Sequence, residues 1–120
     1  MLLFVSILKI TFGILFMLAG FMHFAKPKIY KHFIPDFLPK LAVNYIAGLV
    51  EFLLGIGLFF NLTTKYAALG VFLLMIVFLP IHIWDVTKER PAIGSKKMAI
   101  IRIPIQFTLM LFAWLIYLNS

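Results

Sequence analysis

Residues 41–61 read LAVNYIAGLVEFLLGIGLFFN, and Glu51 is the only charged side chain in that stretch. A membrane helix needs about 20 mostly apolar residues to cross about 30 Å of hydrocarbon, and this stretch has that length. On either side the same pattern repeats. Residues 2–25, 64–84 and 98–118 are equally long apolar runs, which predicts four spans in a single domain, 1–120. The breaks between them are marked by turn formers and charge. Lys26 to Lys40 holds Pro27, Pro35 and Pro39, Asn61 to Lys65 is a short turn, and Asp85 to Lys97 is a polar loop with Pro91 and Gly94.

Composition agrees with that reading. The 120 residues are 64% hydrophobic and 12% charged, with a mean hydropathy of +1.11. Soluble domains average about 45–50% apolar and about 25% charged residues. A single small domain could not bury so much apolar surface. A soluble enzyme, a disordered chain and a nucleic-acid-binding module are therefore excluded, and an all-α, membrane-spanning four-helix bundle is expected. The absence of cysteine excludes disulfides, thiolate metal sites and thiol redox catalysis in this chain. The first apolar run is too long for a signal peptide, contains Lys9, and has no small-residue cleavage site before Lys26, so it reads as a retained span.

The net charge of +7 is explained by topology rather than by a nucleic-acid partner. Lys26, Lys28, Lys31 and Lys40 lie in the first loop and Lys88, Arg90, Lys96 and Lys97 in the third, against Lys65 alone in the second. The positive-inside rule then puts loops 1 and 3 in the cytoplasm and both termini outside. In loop 1, apolar Ile29, Tyr30, Phe33, Ile34, Phe37 and Leu38 alternate with Lys28, Lys31, His32 and Asp36. This spacing predicts a short interfacial helix broken at Pro35, with Phe33, Ile34 and Phe37 facing the membrane or the bundle end.

Ionisable side chains inside hydrocarbon are costly and normally face a bundle interior. The spans contain Lys9, His23, Glu51, His82 and Arg102, with Asn44 and Gln106 as neutral companions. At about 1.5 Å rise per residue, His23, His82 and Arg102 lie roughly 3 to 7 Å from the loop 1 and loop 3 boundary, and Glu51 and Gln106 roughly 13 to 16 Å. Side chains lean toward the N-terminus of their own helix, so His23 and His82 lean inward while Glu51, Arg102 and Gln106 lean toward the loops. Both sets converge on one layer, and Lys9 snorkels to the opposite leaflet. Asn44, Gly48, Glu51 and Gly55 share one stripe of the second span, and Gly13, Gly20 and His23 one stripe of the first. The favoured partner of Glu51 is Arg102, through extended side chains or one water, and a polar pocket open toward the cytoplasmic side is expected to join Glu51 to Arg102 or Gln106, with His23 at its mouth. The plainer readings are a buried ion pair that only fixes packing, histidines that bind headgroups, and Pro80 and Pro104 as tolerated kinks.

Several motifs occur together: AGFMHFAKPKIY at 19–30, IPDFLP at 34–39, AGLVEFLLGIGLF at 47–59, FLPIHIW at 78–84 and RIPIQ at 102–106. With these elements the chain resembles the DoxX-like family of small four-helix membrane proteins along nearly its whole length. The resemblance implies a bundle in the cytoplasmic membrane and carries over His23, Pro27, Glu51, Arg102 and Gln106 as motif positions. His82 stands where relatives usually have asparagine. The family is linked to redox subunits acting with quinone and sulfur compounds, and related branches include disulfide-forming proteins and membrane chaperones. Without cysteine, direct disulfide chemistry cannot apply here.

Three functions stay open at this point. One is an accessory membrane subunit of a redox system that binds a quinone-like or other apolar small molecule, with His23, Glu51, His82, Arg102 and Gln106 meeting its polar head. The second is a non-enzymatic membrane chaperone or assembly factor holding a partner membrane protein. The third is a small-solute or lipid carrier. The only cofactor suggested is a quinone. Haem is not expected, because the spacing of His23 and His82 carries no diagnostic motif, and no metal site is expected with Glu51 about two turns deeper than the histidines.

Overall fold

A computed structural model of the chain describes residues 2–120. It contains four α-helices: α1 (Leu2–Ala25), α2 (Lys40–Phe59), α3 (Thr64–Val86) and α4 (Lys96–Leu118). Each is long and apolar enough to cross a membrane, and the predicted boundaries agree to within two residues. The bundle is 43 Å along its longest axis, enough for about 30 Å of hydrocarbon with polar ends. Large apolar side chains such as Leu3, Ile46, Leu53, Val77 and Leu111 point outward and stay exposed. In water that surface would be unstable, and in lipid it is the expected solvent-facing side. The protein is a multi-pass membrane protein.

The four helices pair as two hairpins, α1 with α2 and α3 with α4, joined by a lighter α2–α3 contact. Glycine makes the first hairpin close. A Cβ placed on Gly20 would lie 2.5 Å from the Gly48 carbonyl oxygen, and one on Gly55 would lie 2.8 Å from that of Gly13. The short α2–α3 turn closes with threonines. Thr63 Oγ1 donates to the Gly57 carbonyl at 2.7 Å, and Thr64 Oγ1 donates to those of Leu58 and Phe60. These bonds satisfy carbonyls that a helix end leaves open. Ser95 caps α4 by accepting from the Met98 N–H.

The apolar core lies at the α2–α3 turn end, where Leu58, Ala68, Val71, Ala113 and Ile116 are fully buried. Lys9 reaches Asn61 there, at an exposed position. The other end carries both basic loops. Loop 1 differs from the predicted interfacial helix: it forms two 3-10 turns, Pro27–Ile29 and Lys31–Phe33. Three prolines within 13 residues remove the N–H donors that a continuous α-helix would need. Ile34 is 7% exposed and Phe33 packs edge-on against His82 at the bundle end, while Phe37 is 84% exposed and makes no part of that packing.

Loop 1 is strapped across the bundle end. Lys88 from loop 3 donates to the His32 carbonyl at 2.6 Å, and Lys40 donates to that of Lys31 at 3.2 Å. Loop 3 is itself held by Asp85, which is 1% exposed and accepts from the Ala92 and Ile93 N–H groups. Pro80 and Pro104 both sit inside unbroken helices.

Candidate functional site

Beneath loop 1 the two hairpins stand apart and leave a half-open cavity of about 430 Å³. Its walls are mainly apolar, with Leu15, Phe16, Met75, Phe78, Ile81 and Leu109 among them. Tyr30, Phe33 and Ile34 of loop 1 contribute to its lining, and the polar groups facing it include His23, Asn44, Glu51, His82 and Arg102.

The best-defined polar group begins with a missing donor. In an α-helix the His23 carbonyl would accept from the N–H of residue 27, but residue 27 is proline. Asn44 supplies the donor instead, with Nδ2 at 2.7 Å from that carbonyl. This fixes the amide orientation and turns Asn44 Oδ1 toward His23 Nδ1, 2.6 Å away. Because Oδ1 can only accept, Nδ1 carries a hydrogen. His23 Nε2 then faces Glu51 Oε2 at 3.4 Å, close enough for charge pairing but not aligned as a hydrogen bond. The gap leaves room for a single proton, on the carboxyl or on the imidazole. Both residues are 6% exposed. Tyr30 stacks on the imidazole, ring centroids 3.7 Å apart and nearly parallel. Burial pushes the Tyr30 phenol above its ordinary range, and the Glu51 charge adds to the shift.

The expected partnership of Glu51 with Arg102 is corrected here: the ion-pair partner of Glu51 is His23. Helix direction gives the reason. Glu51 and Arg102 both lie on helices that start at the loop end, so both lean the same way and keep their difference in depth. His23 is on a helix of opposite direction, so its lean and that of Glu51 close the gap. Arg102 still lines the same cavity, but Nη1 is buried without a hydrogen-bond partner. His82 lines the cavity beside it, and Arg102 and Asp85 are the charges that act on this imidazole.

Gln106 departs from the expected layer. It is fully buried in the α3–α4 hairpin and donates through Nε2 to the Met75 carbonyl at 2.7 Å, with Oε1 left unpartnered. It is not among the cavity-lining residues, whereas Met75 is, so Gln106 positions the wall from behind. Gly48 lets His23 lie against α2, and Pro27 opens the first 3-10 turn. Both His23 nitrogens are directed at protein partners, Asn44 and Glu51. Among the described residues no three His, Asp or Glu side chains converge as a metal site.

Three residues of this region lie outside the sequence-based site. Tyr30 reads as an interfacial aromatic, yet it stacks on His23; its place seven residues on, past a proline turn, is the only sequence signal. Asp85 and Lys88 read as loop polarity, yet they anchor loop 3 and tie it to loop 1. An acid at a helix end before a proline–glycine loop is the available cue, because such a loop exposes N–H groups that need an acceptor.

Residues 12–117 match the family described as Domain of unknown function (DUF8561), so the chain belongs to that family. No curated protein and no solved structure matches it.

Proposed function

We propose that this chain is a DoxX-like protein of the cytoplasmic membrane that binds a quinone-like or other apolar small molecule and serves a redox system as an accessory membrane subunit. One observation carries the reading: the apolar cavity of about 430 Å³ has Glu51 Oε2 and Arg102 Nη1 without hydrogen-bond partners at its polar end. Small-molecule sites are concave and mostly apolar, with a few convergent polar groups that fix orientation. Unsatisfied buried polar atoms are costly in a finished fold, and a ligand head that meets them removes that cost. The His23–Glu51 pair holds one movable proton beside the cavity, as a ligand with a carbonyl or hydroxyl head requires. Loops 1 and 3 face the cytoplasm in this reading, and the termini lie outside.

The test is mass spectrometry of an organic extract of the detergent-purified protein, with binding of a short-chain quinone measured alongside. A co-purifying quinone and saturable binding are expected, and Glu51→Gln should stay folded and monodisperse while losing retention. A protein that carries no small molecule and binds no quinone, yet captures a defined membrane partner, would replace this reading with the chaperone one. A non-quinone lipid or solute in the extract would replace it with carriage.

A further inference from the structure

Charge is balanced everywhere along the cavity except at one place. Glu51 is met by His23, and Asp85 is taken by two backbone N–H groups and by Lys88 at 3.4 Å. Asp36 lies outside the cavity and pairs with Lys40 at 2.8 Å. Arg102 has no carboxylate within ion-pair distance among the described residues, and its Nη1 is buried without a partner. A guanidinium stays protonated in proteins, so this is a permanent positive charge at the edge of hydrocarbon. His82 faces the same cavity, and as a neutral imidazole it offers one N–H donor.

We infer that Arg102, with His82 beside it, is the head-group subsite for a single-chain amphiphile bearing one negative charge, a carboxylate being the best fit, with its hydrocarbon in the apolar part of the cavity. The guanidinium fork matches a carboxylate bidentately and holds it by charge-assisted hydrogen bonds. A monoanion neutralises the one unmatched charge, whereas a dianion would leave a buried negative charge behind. The volume argues for one chain: about 430 Å³ lies near the low end of the range for small-molecule sites, and a two-chain phospholipid does not fit inside it. Phe78, Ile81 and Leu109 supply apolar wall around the tail. The inference rests on the cavity being a ligand site and assigns the chemistry of its head-group end.

Calorimetric titration of the detergent-solubilised full chain at pH 8 with decanoate, decanol, decyl phosphate and acetate tests it, with a short-chain quinone as the control ligand. Decanoate should bind at least about tenfold tighter than decanol, the effect of one charge-assisted hydrogen-bonded pair. Arg102→Gln should bring decanoate down to the decanol level, and Arg102→Lys should keep part of the preference. Equal binding of decanoate and decanol, or an undiminished preference in Arg102→Gln, overturns the inference. So does tighter binding of decyl phosphate, which marks a dianion site, or of acetate, which marks a site for free small anions. If Arg102→Gln does not fold, the wild-type comparison of head groups decides alone. Quinone binding without a preference for decanoate removes the anionic subsite and leaves the ligand cavity standing. Absence of binding by every probe removes both.

Discussion

Pro27 follows His23 by four residues, and that spacing sets the chemistry of the cavity. The proline withholds an N–H from the His23 carbonyl, Asn44 fills the vacancy, and its amide then selects the imidazole tautomer that faces Glu51. Asn44→Ala strands a buried carbonyl and a buried ring N–H together. The expected loss is roughly 2 kcal/mol or more, read as a lower unfolding midpoint in a mild detergent. Pro27→Ala restores a donor that can reach the same carbonyl. The double variant Pro27→Ala/Asn44→Ala should therefore lose less stability than the two single losses added together. Strict additivity in that cycle would mean that Asn44 does not substitute for the missing N–H. Tyr30 gives a second measurement at this scale. Its phenol is held above the usual value of about 10, so the folded state favours the protonated form. The stability this contributes is complete below the unfolded value and is lost as pH rises through the folded one. The difference at 295 nm between the wild type and Tyr30→Phe should titrate above pH 10; a midpoint at or below about 10 would contradict its partial burial against the His23 ring.

Glycine placement separates the two faces of α2. A Cβ on Gly20 would meet α2 backbone atoms at 2.5 and 2.6 Å, which cannot move aside as a side chain can. Gly20→Ala should cost about 1–3 kcal/mol by overpacking. At Gly57 the nearest atom would be the Ala67 Cβ at 3.0 Å, a small methyl on a facing helix. Gly57→Ala gains up to about 1 kcal/mol of helix propensity against that tight contact, so it should fall within about 1 kcal/mol of wild type. Thermal unfolding of the two variants in one detergent checks the order, and equal losses would mean that α1 and α2 are not in backbone contact. Elements of this kind were legible in the sequence because their causes are local. Hydrophobic run length gives the four helices, and the Asn44–Gly48–Glu51–Gly55 stripe gives the face of α2 that meets α1. The lean of side chains along their helices correctly brings His23 toward Glu51. What sequence did not yield was pairing across helices. A shared half of the membrane favours Arg102 over Lys9 as the partner of Glu51 but does not say which helices face each other, and the phase of α4 does not say which of its sides α3 occupies, so Gln106 reads as a cavity residue. In loop 1 the periodicity suggested one continuous face, but three prolines divide it into 3-10 turns and leave Phe37 outside.

At the scale of the whole molecule, one end of the bundle is closed by a packed apolar core and the other holds the cavity under two basic loops. The fold itself joins those loops, since Lys88 of loop 3 bonds to His32 of loop 1. Their charges therefore act as one patch of eight Lys and Arg residues, against Lys65 in the first turn of α3. Charge counted over short loops sets orientation during insertion, so in the proposed orientation this patch, and the cavity beneath it, face the cytoplasm. The chain contains no cysteine, so a single introduced thiol reports its own location without further changes. Ser95 caps α4 within loop 3, and Ser120 ends the chain at the opposite end of the same helix. In intact cells a membrane-impermeant maleimide should label Ser120→Cys directly and Ser95→Cys only after the membrane is opened. The reverse pattern would place the cavity mouth outside the cytoplasm, and a ligand would then have to reach Arg102 and Glu51 from the external face. Labelling of both positions from one side would contradict the spanning of α4, because the 23 residues of that helix rise about 35 Å between its ends. A strong labelling asymmetry in the expected direction would fix the compartment from which the proposed ligand reaches Arg102 and Glu51.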